Sequence, residues 1–251
     1  MSIIDPVPRY QQLASLLRSA ILDGTYPAGG ALPSEAELSR EYGLSRPTVR
    51  QAISLLETEG LVISEHGRGT FVRTHPERRR VTRDRQVHRD EIGYYFDPQA
   101  VNWRPIVKPT ASWGKAPAEI ARLLAIPVGS PVVIRDRQMG EPGGPPLQLA
   151  TSYLPEWLAR GTQLERADTG PGGIYDRMEE TGHKLHWVEA VSARMPTPEE
   201  AKALRLPPGV PVLRILRTTL NQEDKPLEVN DTRMSADLFE ISYPLERAPD
   251  A

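Results

Sequence analysis

The second half of the chain repeats itself. The stretch "IPVGSPVVIRDR" (Ile126 to Arg137) aligns with "LPPGVPVLRILR" (Leu206 to Arg217), so that Pro127, Gly129 and Pro131 fall on Pro207, Gly209 and Pro211. The same offset lays "PLQLATSYL" on "PLEVNDTRM", pairing Pro146 with Pro226 and Leu147 with Leu227. Each copy follows a short helix-like run, "APAEIARLLA" or "TPEEAKALR". The unit is therefore helix, Pro-Gly turn, strand, loop, strand. Two copies are too few for a solenoid, whose units bury their faces by stacking on several neighbours. They suit one mixed α+β domain whose central antiparallel sheet has internal pseudo-symmetry.

That domain does not use up the 251 residues, so a second domain is expected. The charged and apolar fractions are those of a globular chain. No apolar run approaches the roughly 20 residues that span a bilayer. The start "MSIIDPVPRYQQ" has no basic stretch followed by an apolar core, so no secretory signal and a cytoplasmic location are expected. Cysteine is absent, which removes disulfides and thiolate metal sites and suits a reducing compartment. The net charge of −2 offers no global attraction to nucleic acid, so any DNA binding has to come from local charge.

The first 75 residues read as three helices and a hairpin. From Tyr10 to Leu22, the residues Leu13, Leu16, Leu17, Ala20 and Ile21 share one helical face. "DGTYPAGGALP" is a loop by composition. Ser34 and Glu37 have the spacing of a capping box, and Leu38 and Tyr42 give the second helix its apolar side. Gly43 ends it. Ser45 caps a third helix, and Pro47 falls in the first turn, where its missing N–H breaks no intrahelical bond. Val49, Ile53 and Leu56 keep apolar spacing until about Thr58, with Gly60 as the stop. "LVISEHGRGTFV" is two β-prone runs around a glycine-rich turn.

Helix, turn, helix and hairpin in that order make a winged helix–turn–helix. A major groove admits one helix, and short or basic side chains near that helix's N-terminus reach bases and phosphates. Arg46 and Arg50 are the only charged residues between Glu41 and Glu57, and Ser45 and Thr48 are short donors beside them. At the hairpin tip, His66, Gly67 and Arg68 leave room for close backbone approach to DNA. The domain as a whole, with seven arginines against eight acids, is not basic.

Between the two domains, "THPERRRVTRDRQVHRDE" has little apolar content, and its six arginines outnumber its acids. Residues 76–93 read as a solvated arginine-rich linker, leaving a DNA-binding domain at 1–75 and a second domain at 94–251.

The segment Leu32 to Val72 resembles the DNA-binding domain of GntR-family transcriptional regulators. The resemblance implies DNA contacts at Ser45, Arg46, Thr48 and Arg50 of the recognition helix and at His66 and Gly67 of the wing. Ala36 stands where many members carry an arginine. The second half resembles the UTRA effector domain of the HutC branch, similar in fold to chorismate lyase, on "PVVIRDRQ", "SYLP" and "GGIYDRMEE". In phosphosugar-sensing members two alternating arginines hold the phosphate, and Arg135 and Arg137 match them. Tyr175 and Glu228 carry over as further pocket residues. Ala150, Gly173 and Met234 depart from the glutamate, serine and tyrosine of those members. An anionic or polar effector is therefore expected, with no commitment to an amino-sugar phosphate.

The residues support an inward role for the arginine pair. Val133, Arg135 and Arg137 share one strand face, and the same parity in the second copy is Leu213, Ile215 and Arg217. Two charges on a core-facing stripe are costly unless paired. A phosphate or carboxylate ligand would pair them, and so would an internal carboxylate such as Glu228.

Other chemistry lacks support. His183 and His186 have no third ligand, so no metal is expected, and they read as ordinary histidines. No P-loop, dinucleotide fingerprint or nucleophile elbow occurs, and no nucleophile–base pair stands out, so no cofactor and no catalysis are expected. The four tryptophans read as core or pocket-wall aromatics. The chain is expected to be a repressor-type regulator, a homodimer on a two-fold symmetric operator. A degenerate pocket controlled by a protein partner is the alternative, and a lyase-like enzyme is the weaker one.

Overall fold

The computed structural model describes residues 7–74, 76–83, 87–89, 94–95, 102–170, 172–245 and 247. It divides into two units, one built from the residues up to Pro76 together with Leu206–Val210, the other from Glu77–Arg205 and Pro211 onward.

In the first unit, α1 (Arg9–Leu22), α2 (Glu35–Tyr42) and α3 (Arg46–Thr58) pack around Leu13, Ala14, Leu17, Leu38, Val49, Ala52, Ile53 and Leu56. Ser34 and Glu37 form the capping box: the Ser34 hydroxyl accepts from the Glu37 N–H at 3.3 Å, and the Glu37 carboxylate accepts from the Ser34 N–H at 2.8 Å. Gly43, at φ 62°, closes α2 in the left-handed region that favours glycine. Ser45 caps α3 by accepting from the Thr48 N–H. Strands β1 (Val62–Glu65) and β2 (Gly69–Val72) make the hairpin in antiparallel register. The expected α1 face needs one correction: Leu16 is exposed and Ala14 takes its place in the core. The three-helix core is narrow, and a stripe of i, i+3, i+4 and i+7 positions suffices to fill it.

The second unit begins with β3 (Arg79–Thr82), β4 (His88–Arg89), β5 (Tyr94–Tyr95) and β6 (Arg104–Pro105). There follow β7 (Thr110–Lys115), α4 (Ala118–Leu123), β8 (Pro131–Gly140), β9 (Gln148–Pro155), α5 (Glu156–Ala159) and α6 (Gly173–Glu180). The unit ends with β10 (His186–Arg194), α7 (Pro198–Ala203), β11 (Val212–Leu220), β12 (Pro226–Ser235) and β13 (Phe239–Ser242). The main sheet has the order β10-β11-β12-β9-β8, with β6 and β7 both pairing β8, and every pairing in it is antiparallel.

This order explains the repeat. Strands β7, β8 and β9 with α4 match β10, β11 and β12 with α7, and the two copies meet where β9 pairs β12. The strand ahead of each helix belongs to the unit too, which the shared motifs did not reveal. Each helix ends in the same way, with a non-glycine residue at φ 53°, Ala125 in one copy and Arg205 in the other. The Pro-Gly turns follow, with Gly129 at φ 80° and Gly209 at φ 76°.

Helices α5 and α6 cover one face of the sheet through Val133, Leu154, Leu158, Ile174, Tyr175 and Met178. Helix α4 covers the other through Ile120, Ala121, Val132, Leu216 and Val229. Part of the expected solvated linker is instead structured. Residues 79–82 are β3, which pairs in parallel with β13, and Val81 is buried near Phe239 and Met234. One apolar side chain among arginines is enough to dock a strand when a partner strand satisfies its backbone. Much of the rest of that linker, and the segment after it, lies outside the described residues. Two tryptophans also depart from expectation: Trp113 and Trp157 are exposed, with Arg160 stacked over the first ring and Lys225 over the second.

Candidate DNA interface and effector site

On α3 the structure gathers Ser45, Arg46, Thr48 and Arg50 at one end of the helix. Ser45, Arg46 and Arg50 are exposed, and Thr48 is half-buried, its hydroxyl 2.8 Å from that of Ser45. The free N–H groups of a helix N-terminus favour an anion, and two guanidinium groups add to that field. His66, Gly67 and Arg68 are exposed at the wing tip, where Gly67 has φ 72°. Arg68 pairs with Glu65 and lies over the Phe71 ring.

Arg50 has a neighbour that the local sequence does not show. Glu35, on the first turn of α2, accepts from Arg50 Nε at 3.0 Å and from its Nη2 at 2.8 Å. The Arg50 guanidinium holds the Glu35 carboxyl below the usual carboxylate range, and the Arg50 pKa rises in return. The absence of an acid beside Arg50 along α3 is therefore made good across the turn.

In the second unit, Arg135 and Arg137 both face the side covered by α5 and α6. Arg135 is buried. Its partner is neither a carboxylate nor a ligand: Nη1 donates to the carbonyls of Leu164 (3.2 Å) and Arg166, and Nη2 donates to that of Ala167 (3.1 Å). Burial, and next the charge of Arg137, pull its pKa down to about 10, while Glu228 and Asp168 oppose the shift. Arg137 donates from Nη2 to the Ser152 hydroxyl at 3.0 Å.

Tyr175, carried over by the resemblance as a pocket residue, is buried. Its hydroxyl donates to Glu228 Oε2 at 2.9 Å, and the Thr219 hydroxyl donates to the same oxygen at 2.6 Å. Burial, then the negative charge of Glu228, raise the Tyr175 pKa well above the ordinary phenol value. Arg135 Nε, Arg137 Nε and Glu228 Oε1 are buried and lack a hydrogen-bond partner among the described residues.

Several residues of this face were not picked out from the sequence. Cross-strand register puts Arg135 opposite Ser152, Ser152 opposite Asn230, Asn230 opposite Arg217, and Arg217 opposite Glu189. Directly opposed residues point the same way, so this is one polar row across five strands. The Asn230 amide donates to Ser152 Oγ at 2.9 Å, and Thr232 donates to Asn230 Oδ1 at 2.7 Å. The alternation Glu228, Asn230, Thr232 on β12 was the available signal. His183 and His186 enter no group of three or more metal-ligating residues among those described, and His186 lies 3.0 Å from Asp224. No helix among the described residues is long and apolar enough to cross a membrane.

Residues 9–72 match the family described as bacterial regulatory proteins, gntR family, and residues 110–240 match the UTRA domain. An HTH-type transcriptional regulator of Mycobacterium tuberculosis is 31% identical over 252 residues, covering 96% of this chain and 87% of that protein. HTH-type transcriptional regulator GgaR of Escherichia coli is 30% identical over 94% of this chain and 90% of its own length. HTH-type transcriptional repressor NagR of Bacillus subtilis is 27% identical over 96% of each. A crystal structure described as a GntR-family transcriptional regulator superposes with a TM-score of 0.69 at 30% identity, covering 96% of this chain and 99% of that one. The chain is a DNA-binding transcriptional regulator of the GntR family, with a winged helix–turn–helix domain followed by a UTRA effector domain.

Proposed function

We propose that the protein is a repressor whose hold on its operator changes when a small anionic effector occupies the polar face of the UTRA sheet. The observation that carries this reading is the set of three buried, unpartnered atoms on that face, Arg135 Nε, Arg137 Nε and Glu228 Oε1. Each such group costs about 1–3 kcal/mol if left unmet. Together they are two donors for a phosphate or carboxylate and one acceptor for a hydroxyl or amine. The lowered pKa of Arg135 agrees: burial, and next the charge of Arg137, lower it, and an anion beside the two guanidinium groups would offset both. The repressor assignment is supported by the likeness to a relative named as one.

On the DNA side, Ser45, Arg46, Thr48 and Arg50 enter the major groove, and His66, Gly67 and Arg68 flank it. One helix with two arginines makes few base contacts, so a homodimer on a two-fold symmetric operator is the arrangement that yields specific binding.

The test has two arms. Selection from random duplexes by the full-length protein should return a dyad-symmetric site, and sedimentation at micromolar concentration should give a dimer. Thermal unfolding against a library of phosphorylated and carboxylated metabolites should reveal a ligand that raises the midpoint and weakens operator binding. A ligand that stabilises the protein without changing operator binding would remove the regulatory role.

A further inference from the structure

Glu189 stands at the end of the polar row, on β10, directly across from Arg217 on β11. Its Oε1 accepts from Arg217 Nε at 2.9 Å and from Arg217 Nη2 at 2.6 Å. Its other oxygen, Oε2, lies 3.0 Å from Arg83 Nε. The three side chains keep 18%, 10% and 11% of their surface, so solvent screens this triad little. Arg83 directly follows β3, and its backbone N–H donates to the Ser242 carbonyl at 2.8 Å. Strand β3 is the segment through which the chain arrives from the DNA-binding domain. One carboxylate thus divides its two oxygens between an arginine of the sheet and an arginine of that connecting segment.

We propose that Glu189 couples the polar row of the UTRA sheet to the connecting strand. Arg217 neighbours Asn230 across the strands, and Asn230 is tied through Ser152 to Arg137. A change in that row alters how firmly Arg217 is drawn toward Glu189. Because Arg217 and Arg83 share the carboxylate, the change is passed to Arg83 and to the docking of β3. An anion that draws Arg217 into the row leaves Glu189 to Arg83. Loss of the row's hydrogen bonds leaves Arg217 freer to compete for the carboxylate. Glu189 is in this sense a positioning residue that acts through two arginines. The physical warrant is a continuous row of hydrogen bonds and cross-strand neighbours with a shared, divisible acceptor at its end. The inference rests on reading this face as the effector site, but its test uses no effector, so a failed ligand search and a failed coupling are separate results.

The experiment is a double-mutant cycle read by hydrogen exchange in the full-length protein, on peptides that cover residues 79–83. Glu189→Gln should speed exchange there by about tenfold or more, as the ordering of β3 loosens. Asn230→Ala, in the middle of the row and across from Arg217, should change the same peptide's exchange by about threefold or more in the wild-type background. In the Glu189→Gln background it should change nothing. Equal effects of Asn230→Ala in both backgrounds would overturn the proposal, as would no effect in either. Should Glu189→Gln fail to fold by circular dichroism, Arg83→Gln removes the other half of the same contact and carries the same cycle.

Discussion

Arg50 and Glu35 are joined by two nearly parallel hydrogen bonds, 3.0 Å from Nε and 2.8 Å from Nη2, across the turn of the helix–turn–helix. The pair fixes the guanidinium while Arg50 keeps 69% of its side-chain surface exposed, so the group is both held and presented. A bidentate pair restricts orientation more than a lysine's point charge would.

Arg50→Ala is expected to weaken operator binding by about 1–3 kcal/mol and to relax the base preference at one position of each half-site. Glu35→Ala should have a smaller effect of the same kind, since it frees the guanidinium without removing it. Titration of each variant on the selected duplex checks both. Affinity unchanged in Arg50→Ala would mean that this end of α3 does not read DNA.

Two helix caps separate stability from recognition. Ser34 caps α2 and Ser45 caps α3, each accepting from the N–H three residues on. Ser34→Ala and Ser45→Ala should each cost about 1 kcal/mol of domain stability. Only Ser45→Ala should also lose operator affinity beyond what its lowered stability explains. Urea unfolding and duplex titration on the two variants distinguish these effects.

How much of this was legible follows from the range over which each signal acts. Caps, the Pro47 turn and the wing are local, and the sequence shows them because each rests on residues within a few positions. The repeat showed the sheet because both copies obey one alternation. The Arg50–Glu35 pair spans 15 residues and exists only once α2 and α3 have crossed. The partners of Arg135 are backbone carbonyls at residues 164, 166 and 167, and a carbonyl has no side-chain signature to read. For that reason the choice posed by the sequence, ligand or carboxylate, left out the contact the structure contains. Trp113 and Trp157 were misplaced because an indole stacked under a cation is satisfied at the surface as well as in a core.

Acid should loosen the second domain partly through Glu200. Its carboxylate accepts from Arg194 at 2.7 and 2.8 Å and closes the capping box with Thr197. The Arg194 hydrogen bonds, with Thr197 and nearby charges assisting, hold its pKa below the usual carboxylate value against the cost of burial. A depressed folded pKa contributes stability that is present above the unfolded value of about 4.3 and is lost as pH falls through the folded one. Glu200→Gln should therefore lower the unfolding midpoint at pH 7 and flatten its decline below about pH 4. Parallel curves for variant and wild type across that window would show that Glu200 contributes nothing to acid sensitivity.

Tyr175 and Glu228 separate the effector site from its scaffold. Tyr175 packs edge-on against Trp187, with ring centroids 5.6 Å apart, and only its hydroxyl reaches Glu228. Tyr175→Phe keeps the ring and removes one of two hydroxyl donors to a fully buried carboxylate, so it should cost about 1–3 kcal/mol of stability. Glu228→Gln instead keeps a carbonyl oxygen for the Tyr175 and Thr219 hydroxyls and adds an NH2 group on the side where Oε1 has no partner. A ligand that places a donor against Oε1 then meets another donor. Glu228→Gln should therefore abolish the ligand-induced rise in the unfolding midpoint while operator binding without ligand stays within about twofold of wild type, the two domains having separate cores. Tyr175→Phe should keep a reduced ligand response, because the carboxylate remains. If Glu228→Gln responds to the ligand as the wild type does, the acceptor side of the effector site lies elsewhere on the sheet.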